Sequence, residues 1–560
     1  MSQKILRDAI HGYISLDDMF IFIIDSPEFQ RLKSIEQGSF RVLYPAARHD
    51  RFIHSLGTYH LAKKVSHYFI QNIDEDLNIS IDKQILDKIL TTFYYASLLH
   101  DIGHAPFSHT TECFFAEKTI DGTYSNNAIE EQLLISIKEV VDDSDFNSFK
   151  KDFKGCSPSS HEIMSATILV KKADIFLECV DSINLELAAR MVIGCTYDYN
   201  TCSSLSDDEK NILGIKNCFI RLLNSNTVDV DKMDYITRDT VMSGFDNVSI
   251  DVERLARSVT AIKNPNGWIY PAFRKNALSV IDNVFRAKTE QGFWMVSHPA
   301  VLYNSLLLTH CIKSLNHWID KDYTNKIFSL ESLSNDGIIL KNKKYRLLND
   351  IDIGSDLRAY YEQSPLIQEL YNRRARRHPL WKSYYEYKYL FNRKKSEENV
   401  LSEENVLSEE NVLSEENVFL FFKGLIDYMA SSGYFVLNDK MKDDIYKNGT
   451  DEAKIAVKFL ETFCNSNSIK FDFVILSSSN TFGAKFDPDF VYIYFNKLPS
   501  NNGRNYATYG FLKNNIPKYT SSRMFYLYSK EKFSPERIEN FINDLNNTIN
   551  KNAQKQTPRA

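Results

Sequence analysis

The stretch LLHDIGHAPFSH, Leu98 to His109, places His100, Asp101, His104 and His109 directly behind the apolar run FYYASLL. A buried helix that ends in an adjacent His-Asp pair offers two metal ligands at once, where the chain turns at Gly103. A hydrolytic metal site needs several imidazole or carboxylate ligands on rigid elements, with one coordination position left for water. The chain offers candidates for the rest. RFIHSLGTYHLA supplies His54 at the head of a predicted helix, and DVDKMDYITRD supplies Asp231 among carboxylates at 229, 231 and 234.

Composition limits what surrounds this motif. The 560 residues are 43% hydrophobic and 13% aromatic, enough for two or three domains with real cores. A net charge of −6 excludes a general polyanion binder. The eight cysteines form no C-x-x-C pair, which argues against a zinc ribbon or a disulfide framework and fits a reducing cytoplasm. MSQKILRDAIHG places charges where a signal peptide needs an apolar run, and MFIFII and VFLFF are too short to span a bilayer. The expectation is a soluble cytoplasmic protein with no membrane partner.

Apolar residues at i, i+3, i+4 and i+7 predict helices in LGTYHLAKKVSHYFIQNI, ILDKILTTFYYASLLHDIG, ELAARMVIGC and NALSVIDNVFRAKTEQGFWMV. Strand-like alternation is sparse before FDFVILSSS and FVYIYFNKL. The fold expected is mainly α: a helical core over 1–330 with an insertion at about 120–160, a helical lobe with a basic segment over 331–395, and an α/β accessory region over 419–560. Between the last two lies SEENVLSEENVLSEENVLSEENV, residues 396–418. Its six-residue period matches no helical repeat, so it reads as an acidic linker.

Six motifs occur in order: KILRDAIHGYISL, DSPEFQRLKSIEQG, RFIHSLGTYHLA, HDIGHAPFSH, SSHE and DVDKMDYITRD. Together they resemble the HD-domain deoxynucleoside triphosphate triphosphohydrolases, the family of bacterial dGTPases and of the animal enzyme with a sterile-alpha-motif domain. No sterile-alpha-motif segment is recognisable. The resemblance covers roughly residues 1–310 and fades beyond 330. Alarmone hydrolases carry HDxxED where this chain has His100-Asp101-Ile102-Gly103-His104-Ala105, and the Gly-Tyr-Pro element of cyclic-dinucleotide phosphodiesterases is missing.

The resemblance implies that His54, His100, Asp101 and Asp231 hold one divalent ion: iron, manganese, magnesium or zinc. Nitrogen-rich ligation suits a transition metal better than magnesium. The implied reaction converts a dNTP to deoxynucleoside and intact triphosphate, serving either pool balance or antiviral (phage) defence. Its alkoxide leaving group needs a proton, and general acid catalysis contributes ~10²–10⁴-fold. His109 is the candidate donor. Pro106 suits the first turn of a new helix, on which His109 and Glu112 stand at i, i+3, so the carboxylate orients the ring. Glu112 replaces the family's usual aspartate. His104 and His161 match further active-site histidines.

By the same resemblance Arg51, Lys232 and Lys288 contact phosphates, the last replacing an arginine. Gln37 and Asp239 contact the sugar 3′-hydroxyl, and Tyr235 walls the sugar. Aligning His298 puts Val296 where the family has a tyrosine beside the 2′ position; another register offers Arg286 and Trp294. Lys4, Asp25, Gln30 and Lys33 match positions that bind an activating nucleotide between subunits, which implies a dimer or tetramer. Lys33 replaces an arginine there, and Arg7 an asparagine. The basic run NRRARRHPLWK, 372–382, near Trp381, Tyr384, Tyr385 and Tyr387, is a candidate for nucleotide or single-stranded nucleic acid, or a solvated face. The alternatives are an HD hydrolase of an rNTP or second messenger, and a nucleotide sensor or nucleic-acid-binding protein with a vestigial site. The intact set His54, His100, Asp101 and Asp231 speaks against the last.

Overall fold

The computed structural model describes residues 4–118, 124–178, 180–199, 205–245, 249–392, 413–477, 487–495, 504–513 and 524–556. It is mainly helical, with a few small sheets. Contacts divide the chain into two compact units. One comprises 1–296, 312–359 and 482–518; the other comprises 297–311, 360–481 and 519–560. Packing therefore follows a different division from the sequence boundaries at 330 and 419. Residues 331–359 lie with the HD motifs and include a hairpin, Ile338–Leu340 with Lys343–Tyr345, where helix alone was expected.

The first unit opens with a hairpin of β1 (Lys4–Asp8) and β2 (Gly12–Leu16). Its centre is α1 (Arg51–Leu77), started by the Asp50 carboxylate accepting from the Ile53 N–H and ended by Asn78 in the left-handed region. Helix α2 (Lys83–Leu99) packs along α1 and ends at His100. Around them lie α3 (Ser160–Lys171), α4 (Leu185–Ile193), α5 (Asp207–Leu223), α6 (Val230–Ser243) and α7 (Leu278–Gln291). Phe69 of α1, Phe93 of α2 and Phe219 of α5 meet with ring centroids 4.9–5.4 Å apart and fix the spacing of these helices. The insertion folds as helices Asn127–Lys138 and Asp143–Phe153.

A four-stranded sheet completes this unit. Strands β3 (Val259–Lys263) and β4 (Ile269–Arg274) form a hairpin against α1, and β6 (Tyr492–Tyr494) joins β4 in parallel. Sequence reading missed the β1–β2 and β3–β4 hairpins, because each strand is only five or six residues long. Strand β7 (Tyr506–Thr508) closes the edge. The second unit holds β5 (Phe473–Ser477) paired antiparallel with β8 (Phe525–Ser529), which also pairs with His378–Pro379. The two strand-like stretches expected in one C-terminal sheet thus belong to different sheets.

Two expectations for the second unit change. Residues 396–412 of the repeat lie outside the described residues, but its last copy is helical. Ser414 caps the helix Glu415–Ser432, and Val418 is buried. The basic run is built into the fold only in part: Arg377 pairs with Glu369 and Asp472, Arg376 donates to Asn304, and the Trp381 Nε1–H donates to the Phe525 carbonyl, whereas Arg373 and Arg374 are exposed. Trp381 and Tyr387 are buried and present no stacking face; Tyr385 is exposed. Among the described residues no helix is long and apolar enough to cross a membrane.

His60 of α1 makes stability pH-dependent. Burial, with His11 and Lys64 beside it, pushes its imidazole down to about 4, against a weaker opposing pull from Asp8 and Asp234. The unfolded chain therefore binds a proton that the folded one refuses between about pH 6.5 and 4. This group's stability contribution is full above pH 7 and falls as pH drops through that window. Urea midpoints measured from pH 7.5 to 4.5 should decline less steeply in His60→Gln than in the unaltered chain.

Candidate active site

The HD pair sits where α2 stops. The imidazole of His100 donates from Nδ1 to the Ser97 carbonyl at 2.9 Å, and Asp101 follows in the turn. Gly103 is needed there for close approach: a Cβ would lie 2.3 Å from the Ser165 nitrogen of α3. His54 stands one turn into α1 and donates from Nδ1 to Asp234 Oδ2 at 2.7 Å. Both Nδ1 atoms being engaged by acceptors, the neutral rings present Nε2 lone pairs, and these converge at 3.3 Å. Asp231 Oδ1 lies 3.0 Å from His54 Nε2 and 3.5 Å from His100 Nε2. Asp101 stands 3.5 Å from both Nε2 atoms, through Oδ2 to His54 and Oδ1 to His100.

The donor chemistry fits a divalent ion. Burial works against charging either carboxylate. The Arg51 guanidinium with His100 and His104 holds Asp101, and the adjacent His100 and His54 imidazoles hold Asp231, well below the usual range. Burial likewise opposes a proton on His54, yet Asp231 and Asp234 push it up to about 10. The pocket thus demands positive charge at Nε2, which a proton or a metal ion can supply.

A second group adjoins the first. His109 Nδ1 lies 2.9 Å and His161 Nδ1 2.5 Å from the same Glu112 Oε1. His104 stacks on His161 with centroids 4.0 Å apart, and its Nε2 stands 3.1 Å from Asp101 Oδ1. Burial raises Glu112, but the His161 and His109 charges outweigh it and hold the carboxyl well below its ordinary value. His161 is raised in turn by Glu112 against burial, whereas burial and Arg51 hold His104 well down.

The expected helix from Pro106 is absent. Phe107 and Ser108 adopt left-handed backbone at φ 62° and 50°, which breaks any α-helix. Two short 3-10 turns, Ser108–Thr110 and Glu112–Phe114, follow instead. The i, i+3 pairing survives because a three-residue turn also aligns those positions.

No protein-family model matches the chain. Curated relatives do. The deoxynucleoside triphosphate triphosphohydrolase SAMHD1 homolog of Dictyostelium discoideum is 29% identical over 259 residues, 45% of this chain and 39% of that protein. The human deoxynucleoside triphosphate triphosphohydrolase SAMHD1 is 39% identical over 109 residues, 19% of this chain and 16% of its own. Over these segments the chain is similar to these two proteins. An uncharacterised protein of Methanocaldococcus jannaschii is 28% identical over 300 residues, 53% of this chain and 47% of its own. The matched segments span less than two thirds of the length of these relatives. A crystal structure of a hypothetical protein from Aquifex aeolicus shares the fold, with TM-score 0.53 at 16% identity over 97% of this chain and 100% of that one.

The remaining positions matched to the HD family fall as follows. Arg51 donates to Asp101 Oδ2 at 2.7 Å, the Gln37 carbonyl at 2.9 Å and Ser108 Oγ at 3.0 Å, which leaves two of its five N–H groups for an anion. Lys232 donates to Asp229 and the Ser225 carbonyl. Lys288 donates to the Tyr235 hydroxyl at 2.5 Å and lies over its ring; burial and the Lys232 charge push it down to about 8. Asp239 bonds His49 at 2.7 Å, and Gln37 is buried. Val296 packs on Phe40, Ala47 and Met295. Of the alternative register, Arg286 pairs with Glu290 and Trp294 is 42% exposed. Lys4, Asp25, Gln30 and Lys33 all line one cavity of about 490 Å³, together with Leu6, Ile24 and Phe52.

Several supporting residues escaped sequence reading. Asp234, seen only as one of three clustered carboxylates, accepts from His54, from His11 at 2.6 Å and from Arg238 at 2.8 and 2.9 Å. Asp8 of β1 holds the other side of Arg238 at 2.8 Å. Gly57 leaves them room, since a Cβ there would meet Asp234 Oδ1 at 2.0 Å and Arg238 Nη2 at 2.4 Å. Arg31 donates to the Ile102 and His104 carbonyls, and Asp350 accepts from the Phe107 and Glu36 N–H groups, so both brace the HD loop. His-Asp periodicity gave no signal for these partners, which are distant in sequence.

Carboxylates that orient a ligand histidine typically contribute 10–100-fold in metal affinity. Asp234→Asn should weaken manganese binding by about that factor in calorimetric titration, with little change in helical circular dichroism.

Proposed function

We propose that the chain is a metal-dependent dNTP triphosphohydrolase, releasing deoxynucleoside and intact triphosphate. The observation that carries the reading is the convergence of the His54 and His100 Nε2 lone pairs on Asp101 and Asp231, with a second His-Glu group on the far side of Asp101. A divalent ion held by His54, His100, Asp101 and Asp231 would supply Lewis acidity at the α-phosphate. Every other role falls to the chain's own side chains.

His109, half exposed and bonded to Glu112, delivers the proton to the departing 5′-oxygen. Glu112 fixes the ring and offsets its charge, while His161 shares that carboxylate and keeps it ionised. Lys232 and Lys288, close enough that the Lys232 charge adds to burial in lowering the tendency of Lys288 to hold a proton, form a cationic patch for phosphates beside Tyr235. Gln37 and Asp239 address the sugar hydroxyl. Depletion of dNTPs by this route would serve pool balance or antiviral defence.

Purified protein incubated with each dNTP and rNTP, plus manganese or magnesium, is the direct test. Nucleoside plus triphosphate supports the reading; monophosphate plus pyrophosphate, or no turnover with any pairing of nucleotides, rejects it. Asp101→Ala should abolish turnover.

The two lysines of the 490 Å³ cavity support a further part of the reading, that a nucleotide bound there promotes assembly and activity. Velocity should then be sigmoidal in at least one dNTP or mixture, and Lys4→Ala with Lys33→Ala should remove the sigmoidicity. Hyperbolic kinetics throughout would remove the effector.

A further inference from the structure

Beyond the group at His54, His100 and Asp101, another set of donors converges among the described residues. His104, His109, Glu112 and His161 each offer a ligand atom, and those atoms lie within 4.8 Å of one another. His104 is fully buried, and neither ring nitrogen makes a geometrically sound hydrogen bond. Its Nε2 faces Asp101 Oδ1 at 3.1 Å, and its Nδ1 lies 3.7 Å from Glu112 Oε1 with nothing closer to satisfy it. A buried polar atom without a partner is costly and calls for an explanation.

We propose that His104, His109, Glu112 and His161 form a second transition-metal site, selective for zinc-like ions over magnesium, and that filling it inhibits the enzyme. Three imidazoles and one carboxylate make a four-donor set of the kind that tetrahedral zinc or cobalt takes. Magnesium, which prefers six oxygens and keeps its waters, is poorly matched. An ion there takes up the Nδ1 atom of His104 that is otherwise unsatisfied.

It also occupies the side chains that deliver and orient the proton. His109 coordinated through Nδ1 can no longer become an imidazolium, so its remaining Nε2–H is far too weak an acid to protonate the leaving oxygen, and Glu112, itself coordinated, no longer holds the ring in place. The inhibition therefore rests on the proton-delivery roles assigned above, whereas the site itself rests only on donor geometry. The reaction metal and the inhibitory ion would flank Asp101, whose Oδ1 faces both His100 and His104.

Metal-free protein titrated with Co²⁺ alone tests the site. The visible ligand-field spectrum should show about two equivalents bound per chain, the second with the intense bands of a four-coordinate ion. Glu112→Gln should lose one equivalent and keep the other. His109→Ala should do the same, and it guards against misfolding because that side chain is 53% exposed. One equivalent in the unaltered chain, or a second equivalent retained by both variants, overturns the proposal.

The inhibitory arm is read separately. Turnover of manganese-loaded protein should fall at least tenfold on adding zinc, once the second equivalent binds, and recover with a chelator. If two ions bind and zinc leaves the rate unchanged, the inhibition is wrong while the site stands. If no nucleotide is turned over at all, the functional reading fails and the cobalt result is unaffected.

Discussion

Asp234 is the carboxylate on which the site depends. It carries a full charge in a fully buried position, where an unpaired ion would cost several kcal/mol. Three partners compensate it: the Arg238 guanidinium, the His11 imidazole and the Nδ1–H of His54. The last bond decides the chemistry. By holding the Nδ1 proton it fixes the tautomer and turns the Nε2 lone pair toward His100. Remove the carboxylate and His54 is free to rotate or to exchange its tautomer, while Arg238 keeps only Asp8.

That same interaction ties the chain ends of the HD region together. His11 and Asp8 come from the N-terminal hairpin, Gly57 from α1, and Asp234 and Arg238 from successive turns of α6. Three elements separated by up to 230 residues thus meet at one carboxylate. Arg31 and Asp350 do the equivalent work for the loop after α2, fastening its backbone rather than its side chains. A loop with left-handed Phe107 and Ser108 is strained and needs such bracing to persist.

The elements that sequence reading finds are those written in local periodicity. Helices α1, α2 and α7 announce themselves by apolar spacing, and the HD pair by its position at a helix end. What it misses is non-local. The strands β1 to β4 are too short to carry a clear alternation, and β4 pairs with a strand from residue 492 onward. The helix expected at Pro106 fails for a related reason: residue preferences favour it, but the backbone must turn to bring His109 and Glu112 back over His104. The final copy of the hexapeptide repeat shows the converse. Its sequence reads as solvated, yet Val418 finds a core and Ser414 a helix to cap.

Charge is divided across the site in a way that narrows its ligands. Around His54 lie Asp101, Asp231 and Asp234, all strongly held as carboxylates, so this side attracts a cation. Beside Tyr235 lie Lys232 and Lys288, and the burial that pushes Lys288 down to about 8 marks a place where positive charge is under-compensated. That side attracts an anion. Opposite demands separated by Asp231 are best met by one ligand that brings its own negative charge to both the ion and the lysines, as a polyphosphate does. Lys232 already pairs with Asp229, but a neutral substrate would bring nothing to offset the Lys288 charge, and a monoanion could satisfy only one side. The electrostatic pattern thus favours a polyphosphate more firmly than it specifies any base or sugar, and Val296 packs in an apolar cluster with Phe40, Ala47 and Met295.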